Sequence, residues 1–163
     1  MKRKKNIIDE LAIRMGFEEV PDEEIIGLIS EKAPDLETGD RAGGTLLWHA
    51  ASCNRMKLAE WLVEHGANIN TQDENGFSAL HIAVQERHSG MVKYLLGKGA
   101  DVNIQDKFGN NPIMRTNRAT PVEIFRILLE NGADIDLKNI AGVSYRDISC
   151  AFPEMQEVLK EFE

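Results

Sequence analysis

Gly99-Ala100-Asp101-Val102-Asn103 recurs as Gly66-Ala67-Asn68-Ile69-Asn70 upstream and as Gly132-Ala133-Asp134-Ile135-Asp136 downstream, each copy 33 residues from the next. A unit of this length cannot bury its own apolar face, so successive copies must cover one another in a stack. The same period governs Asp40-Arg41-Ala42-Gly43, Asp73-Glu74-Asn75-Gly76, Asp106-Lys107-Phe108-Gly109 and Asn139-Ile140-Ala141-Gly142. Each of these reads as a turn that ends on a glycine able to take positive φ.

Two helices are expected between each turn and the glycine that closes the unit. In residues 40–72, Thr45 caps Leu46–Cys53, Asn54-Arg55 breaks the chain, and Met56–Glu64 stops at Gly66. Residues 73–105 repeat the events through Ser78–Ala83, Met91–Leu96 and Gly99. Residues 106–138 keep the second helix, Ile124–Leu129, but place Thr116-Asn117 where the earlier units have Ala83-Val84 and Ala50-Ala51. In 139–163 two residues are lost, and Met155, Val158 and Leu159 carry the apolar face while Gln156, Glu157, Lys160 and Glu161 face water, as suits a terminal cap. Residues 1–39 read as the opposite cap. Ile7, Ile8, Leu11, Ala12 and Met15 give residues 6–17 a helical stripe, and Pro21-Asp22-Glu23-Glu24 opens a helix carrying Ile25, Ile26, Leu28 and Ile29. Residues 1–163 are therefore expected to form one domain.

Of a formal net charge of −8, Lys2, Arg3, Lys4 and Lys5 contribute four positive charges, which leaves −12 on residues 6–163. That balance disfavours nucleic acid and anionic membranes and favours a basic protein partner; it also simply keeps a chain soluble. Asp9 and Glu10 interrupt the apolar start, so no signal core is expected, and no run approaches a membrane span. Cys53 and Cys150 fall in different units, with layers about 9 Å apart, and read as reduced thiols of a cytoplasmic protein.

Gly76-Phe77-Ser78-Ala79-Leu80-His81-Ile82-Ala83 resembles the ankyrin G-x-T-P-L-H-x-A signature, and Gly99–Asn103 resembles the ending of the same repeat. The resemblance implies an all-α dominated solenoid of helix-turn-helix layers with short β-hairpin-like fingers, its first helices on a concave face and its second helices on the back. It also implies a non-enzymatic protein-protein interaction module. Gly109–Arg115 is similar to small bacterial ankyrin proteins, some of which act as antidotes to toxins, which points by analogy to an immunity-type inhibitor masking a basic partner protein. The alternative is a scaffold recruiting its partner through the third unit. Leu46 and Ala79 stand in place of the signature proline, Trp48 and Met114 in place of the histidine, and Arg115 where the preceding unit has Ile82.

In that geometry the contacts fall on finger tips and on the ends of the first helices. They are Arg41, Glu74, Asn75, Phe77, Lys107, Phe108 and Asn110 on the fingers, with Ser52, Gln85, Glu86 and Arg118 at the helix ends. Phe77 and Phe108 are anchors if they face water; each ring alternatively folds down over a neighbouring finger. Glu74 and Glu86 also suit a plain solvated surface. Arg115 and Arg118, beside Thr116 and Asn117, either reach an anion on the partner or fill the groove against an acid of the stack.

His81 matches the signature histidine that bonds backbone, and His49, His65 and His88 have no ligand spacing, so no metal is expected. Trp61 reads as core. No catalytic motif occurs, no cofactor is expected, and His49 and Cys53 are the residues a small enzyme would have to use. The free protein is expected to be a monomer.

Overall fold

The computed structural model describes residues 7–16, 20–32 and 34–162; the basic run Lys2–Lys5, together with Asn6 and Phe17 at the ends of the expected first helix, lies outside them. The helices are α1 (Ile7–Met15), α2 (Asp22–Lys32), α3 (Leu46–Ser52), α4 (Met56–Glu64), α5 (Ala79–Gln85), α6 (Ser89–Gly97), α7 (Val122–Glu130), α8 (Tyr145–Ile148) and α9 (Pro153–Leu159). First helices form one row, α1 on α3, α3 on α5, and α5 on a 3₁₀ turn at Pro112–Arg115. A second row runs along the other side, with α2 against α4, α6 against α7, and α7 against α9.

Local chemistry sets each element. Thr45 Oγ1 accepts the Trp48 N–H at 3.3 Å, and Ser78 and Ser144 cap α5 and α8 in the same way. Second helices stop where Gly66, Gly99 and Gly132 turn to positive φ, and the next N–H of each, from Ala67, Ala100 and Ala133, folds back onto Leu62, Leu95 and Leu128 carbonyls at 3.0 Å. The stretch Gly99–Asn103 also bonds layers together. Asn70 Oδ1 accepts the Asp101 N–H at 2.9 Å, and Asn103 Oδ1 accepts the Asp134 N–H at 2.8 Å. Glu37 does the same for Asn68 at 2.7 Å, so the repeat's closing motif satisfies one backbone donor of each following layer.

The fingers are turns rather than hairpins. Asp40, Asp73, Asp106 and Asn139 each accept two backbone N–H groups two and four residues on through Oδ1. One isolated bridge, Gln72 to Ser78, is all the strand pairing among the described residues, because the side chain closes the turn before a ladder can extend. Adjacent fingers join through a repeated backbone bond: Glu74 N–H to Ala42 at 2.9 Å, Lys107 N–H to Asn75 at 3.0 Å, and Ile140 N–H to Phe108 at 2.9 Å. That approach is close enough that a Cβ on Gly76, already at φ +83°, would stand 2.6 Å from the Lys107 nitrogen.

The third unit departs as its residues require. Extending its first helix would carry Asn117 to the position at which Val84 is wholly buried, and an amide there without partners costs several kcal/mol. Instead the chain leaves the helix. Thr116 returns both its N–H and its hydroxyl to the Ile113 carbonyl, at 3.0 and 2.8 Å, and the Asn117 N–H turns to Thr120 Oγ1 at 2.9 Å. Tyr145, wholly buried, occupies the neighbouring volume; its ring lies 5.3 Å from Phe125, and its hydroxyl stands 3.2 Å from Thr116 Oγ1 and 2.8 Å from Met155 Sδ. Trp61 is only half-buried, since it sits on the outward shoulder of α4 and stacks on His65 at 3.9 Å.

Candidate functional site

The finger tips form a row whose two columns are read off the period: Arg41, Glu74, Lys107 and Ile140 in one, Ala42, Asn75, Phe108 and Ala141 in the other. All eight are exposed. The two aromatic candidates have opposite fates. Phe77 folds down: the Arg115 guanidinium carbon stands 4.2 Å above its ring, and His81 lies 5.8 Å from it on the inner side. Phe108 is 57 % exposed.

Arg115 is engaged within the stack. Its Nη2 pairs with Oδ2 of Asp106, whose side chain is fully covered, while its flat face covers Phe77. Of the two roles open to it, filling the groove against an acid of the stack is the one occupied. Arg118 separates from it: it is exposed beyond the 3₁₀ turn, with Nη2 3.4 Å from the Ala151 carbonyl, at the edge of a cleft formed with Phe152, Pro153, Glu154 and Met155. The remaining helix-end candidates gather less. Ser52 is half-buried and its carbonyl accepts from His88 Nε2 at 3.1 Å; Gln85 and Glu86 are exposed and bond one another at 3.2 Å. Asn110 is half-buried and holds Asn139 Nδ2 through its Oδ1 at 2.9 Å, joining the third finger to the fourth.

The residue that sequence reasoning missed is Ile140, 76 % exposed at the tip of the fourth finger and bonded through its N–H to Phe108. The signal was present, because Ile140 lies one period after Lys107, yet the stretch reads first as a turn.

The histidines are tied into the stack. His81 Nδ1 accepts the Ser78 N–H at 3.2 Å and its Nε2–H donates to the Asn110 carbonyl at 3.1 Å, a wholly buried neutral ring whose pKa burial lowers. His49 Nε2 meets Asp40 Oδ2 at 2.8 Å, and His65 Nδ1 meets the Trp61 carbonyl at 2.7 Å. Burial, more than any charge, pushes the Cys53 thiol up, away from a reactive thiolate. A cleft of about 660 Å³ between α1 and the first finger is lined by Asp9, Glu10, Ala12, Ile13, Arg14, Asp40 and Arg41; its charges pair as Asp9–Arg41 at 3.5 Å and Glu10–Arg14 at 3.7 Å, and Asp40 bonds His49 at 2.8 Å.

The acidic charge does not lie where a basic partner on the fingers would need it. Helices α2, α4, α6, α7 and α9 together carry −6, whereas the finger and first-helix stretches 40–55, 73–88, 106–120 and 138–152 together carry +2. Asp40, Asp73 and Asp106 are counted in that balance, and each accepts backbone N–H groups inside its turn. Among the described residues, no helix is long and apolar enough to cross a membrane.

Compared with known proteins, the chain matches one family, described as ankyrin repeats in three copies, over residues 11–106. No curated protein matches it.

Proposed function

The chain belongs to the ankyrin repeat family, a protein-protein interaction fold, and on that premise we propose that it is a non-enzymatic binding module that masks a functional surface of one partner protein, as an inhibitor of the immunity type does. One observation carries the reading. Phe108 and Ile140, 57 % and 76 % exposed, sit side by side on bonded fingers, whereas Ile13 and Phe162, the other exposed large apolar residues among the described ones, lie apart on α1 and beyond α9. Contiguous exposed apolar groups on a rigid frame are what an interface anchor requires. The frame is ordered before binding, since each finger is closed by its own aspartate or asparagine and bonded to the next, so little ordering entropy opposes association.

Arg41, Glu74, Asn75 and Lys107 then form the polar surround, with Gln85, Glu86 and Arg118 reached by a partner that extends over the first helices. Phe77 and Arg115 support the third finger from beneath. The test is a photo-crosslinking amino acid placed in the native cell at Phe108, at Glu74, or at Lys93 on the exposed side of α6. A single adduct from positions 108 and 74, absent from 93 and lost with Ile140→Asp, is the expected result. Equal adducts from position 93 would place the contact on the second-helix side and overturn the reading.

A further inference from the structure

The finger side is polarised along its length, and this polarity specifies the partner's chemistry; the inference rests on the binding role proposed above. Residues 106–120 and 138–152 carry +2 and +1, together +3 in a chain of net −8, while residues 40–55 and 73–88 carry +1 and −2, together −1. Within the positive half the acids are committed to the fold. Asp106 is covered and paired with Arg115, and Asp147 accepts the Ser144 N–H and hydroxyl, each at 2.8 Å, contacts that lower its pKa with help from nearby Lys138. Lys107 and Lys138, both exposed, lie one residue before Phe108 and two before Ile140, and among the described residues neither forms an ion pair. Lys107 thus shares the finger-tip column with Ile140, and Lys138 immediately precedes the fourth finger.

We propose that the third and fourth fingers dock a protein segment that seats an apolar side chain against Phe108 and Ile140 and sets carboxylates opposite Lys107 and Lys138. Two amines beside a partly desolvated apolar pair favour a carboxylate through charge-assisted contacts and disfavour a basic group by like-charge repulsion. This reverses the basic partner suggested by the chain's net charge, because the field at the fingers comes from the charges beside them and is screened beyond about 8–10 Å. A nucleic acid fits less well. Its phosphates would use the lysines but leave Ile140 uncovered, and the acidic second helices would repel it.

The test uses random peptides displayed on phage, selected on the full chain and counter-selected on Phe108→Asp. The expected enrichment is an aromatic or aliphatic residue flanked by Asp or Glu. A synthetic peptide of that consensus should bind, lose about tenfold in affinity with Lys107→Glu, and lose about thirtyfold or more with Phe108→Asp or Ile140→Asp. Both tip side chains are exposed, and unchanged circular dichroism confirms that the variants fold. Consensus peptides that depend on Phe108 and Ile140 but carry Lys or Arg overturn this inference while leaving the binding role intact. Failure to enrich any peptide, or binding indifferent to both tip residues, overturns the inference; crosslinking from Phe108 then decides the binding role separately. Retention of a fluorescent DNA or RNA oligonucleotide that is lost with Lys107→Glu would assign the patch to nucleic acid instead.

Discussion

Replacing Arg115 with alanine separates its structural role from any role in partner capture. The guanidinium makes one charge-assisted hydrogen bond to the covered Asp106 carboxylate and lies over the Phe77 ring. The first is worth about 1.5–3 kcal/mol and the second about 0.5–1 kcal/mol at a partly exposed site. Asp106 would keep the Phe108 and Asn110 N–H groups, at 2.8 and 2.9 Å, so the loss falls short of the full 3–5 kcal/mol of a stripped buried pair. A destabilisation of about 2–3 kcal/mol is expected, or a fall in Tm of about 5–10 °C for a chain of this size. Asp106→Asn supplies the control. The fourth finger already uses Asn139 in this turn, where Oδ1 accepts the Ala141 and Val143 N–H groups at 3.0 and 3.1 Å. The substitution therefore removes the charge and keeps the turn.

Urea denaturation followed by two probes locates the loss. Trp48 and Trp61 both belong to residues 40–72, so tryptophan fluorescence reports the N-terminal layers while far-ultraviolet circular dichroism reports every helix. In a stack stabilised by nearest neighbours, Arg115→Ala should shift the dichroism transition below the fluorescence transition. A double-mutant cycle with Asp106→Asn should return a coupling of about 1 kcal/mol or more. A cost below about 0.5 kcal/mol, the range of an ordinary surface substitution, or zero coupling, would refute the structural role of Arg115.

Three further outcomes follow from the geometry. Gly109→Ala, at φ +78° with its Cβ 2.9 Å from Asn139 Cα and the Ile140 nitrogen, should cost more than about 2 kcal/mol, whereas Gly27→Ala, inside α2 with open space around it, should stabilise by up to about 1 kcal/mol; thermal unfolding of the pair checks both. Asn103→Ala should cost about 1–2 kcal/mol and speed hydrogen exchange at the Asp134 amide, whose 2.8 Å acceptor it removes. His81 is held below its ordinary pKa by burial, so the unfolded chain binds the proton more readily; its contribution to stability is present above about pH 6.5 and is lost as pH falls below that value, and Tm measured across that range should decline less for His81→Gln.

The period, the turn aspartates and the helix stops were legible because each depends on residues a few positions apart. The Asp106 turn needs only Phe108 and Asn110, and the stop at Gly99 needs only Leu95 and Ala100. The third unit's departure was legible as well, since Thr116 and Asn117 conflict with a buried helix. The shielding of Phe77 was not, because Arg115 covers it from 38 residues away and the sequence left both outcomes open. Net charge carries no placement: the acidic excess sits on α2, α4, α7 and α9, while the finger stretches come out slightly positive.

The irregular third unit also explains how the tips beside it are aimed. Apolar packing fixes the distance between layers but is indifferent to small rotations, whereas hydrogen bonds are directional. Where α3 and α5 pack helix on helix, Ala50, Ala51, Ala83 and Val84 are wholly buried and carry the layer contact. The 3₁₀ turn offers less such surface, and directional links take its place: Arg115 to Asp106, Asn139 Nδ2 to Asn110 Oδ1 at 2.9 Å, and Asn111 Nδ2 to the Asp134 carbonyl at 2.9 Å. The Asn139–Asn110 link joins the third unit to the fourth, while Asn111 ties the third unit to its own closing loop and Arg115 fixes the base of its finger. The exchange of apolar for polar contacts therefore orients Phe108 and Ile140 as a pair, at the end of the stack where both large apolar tips are exposed.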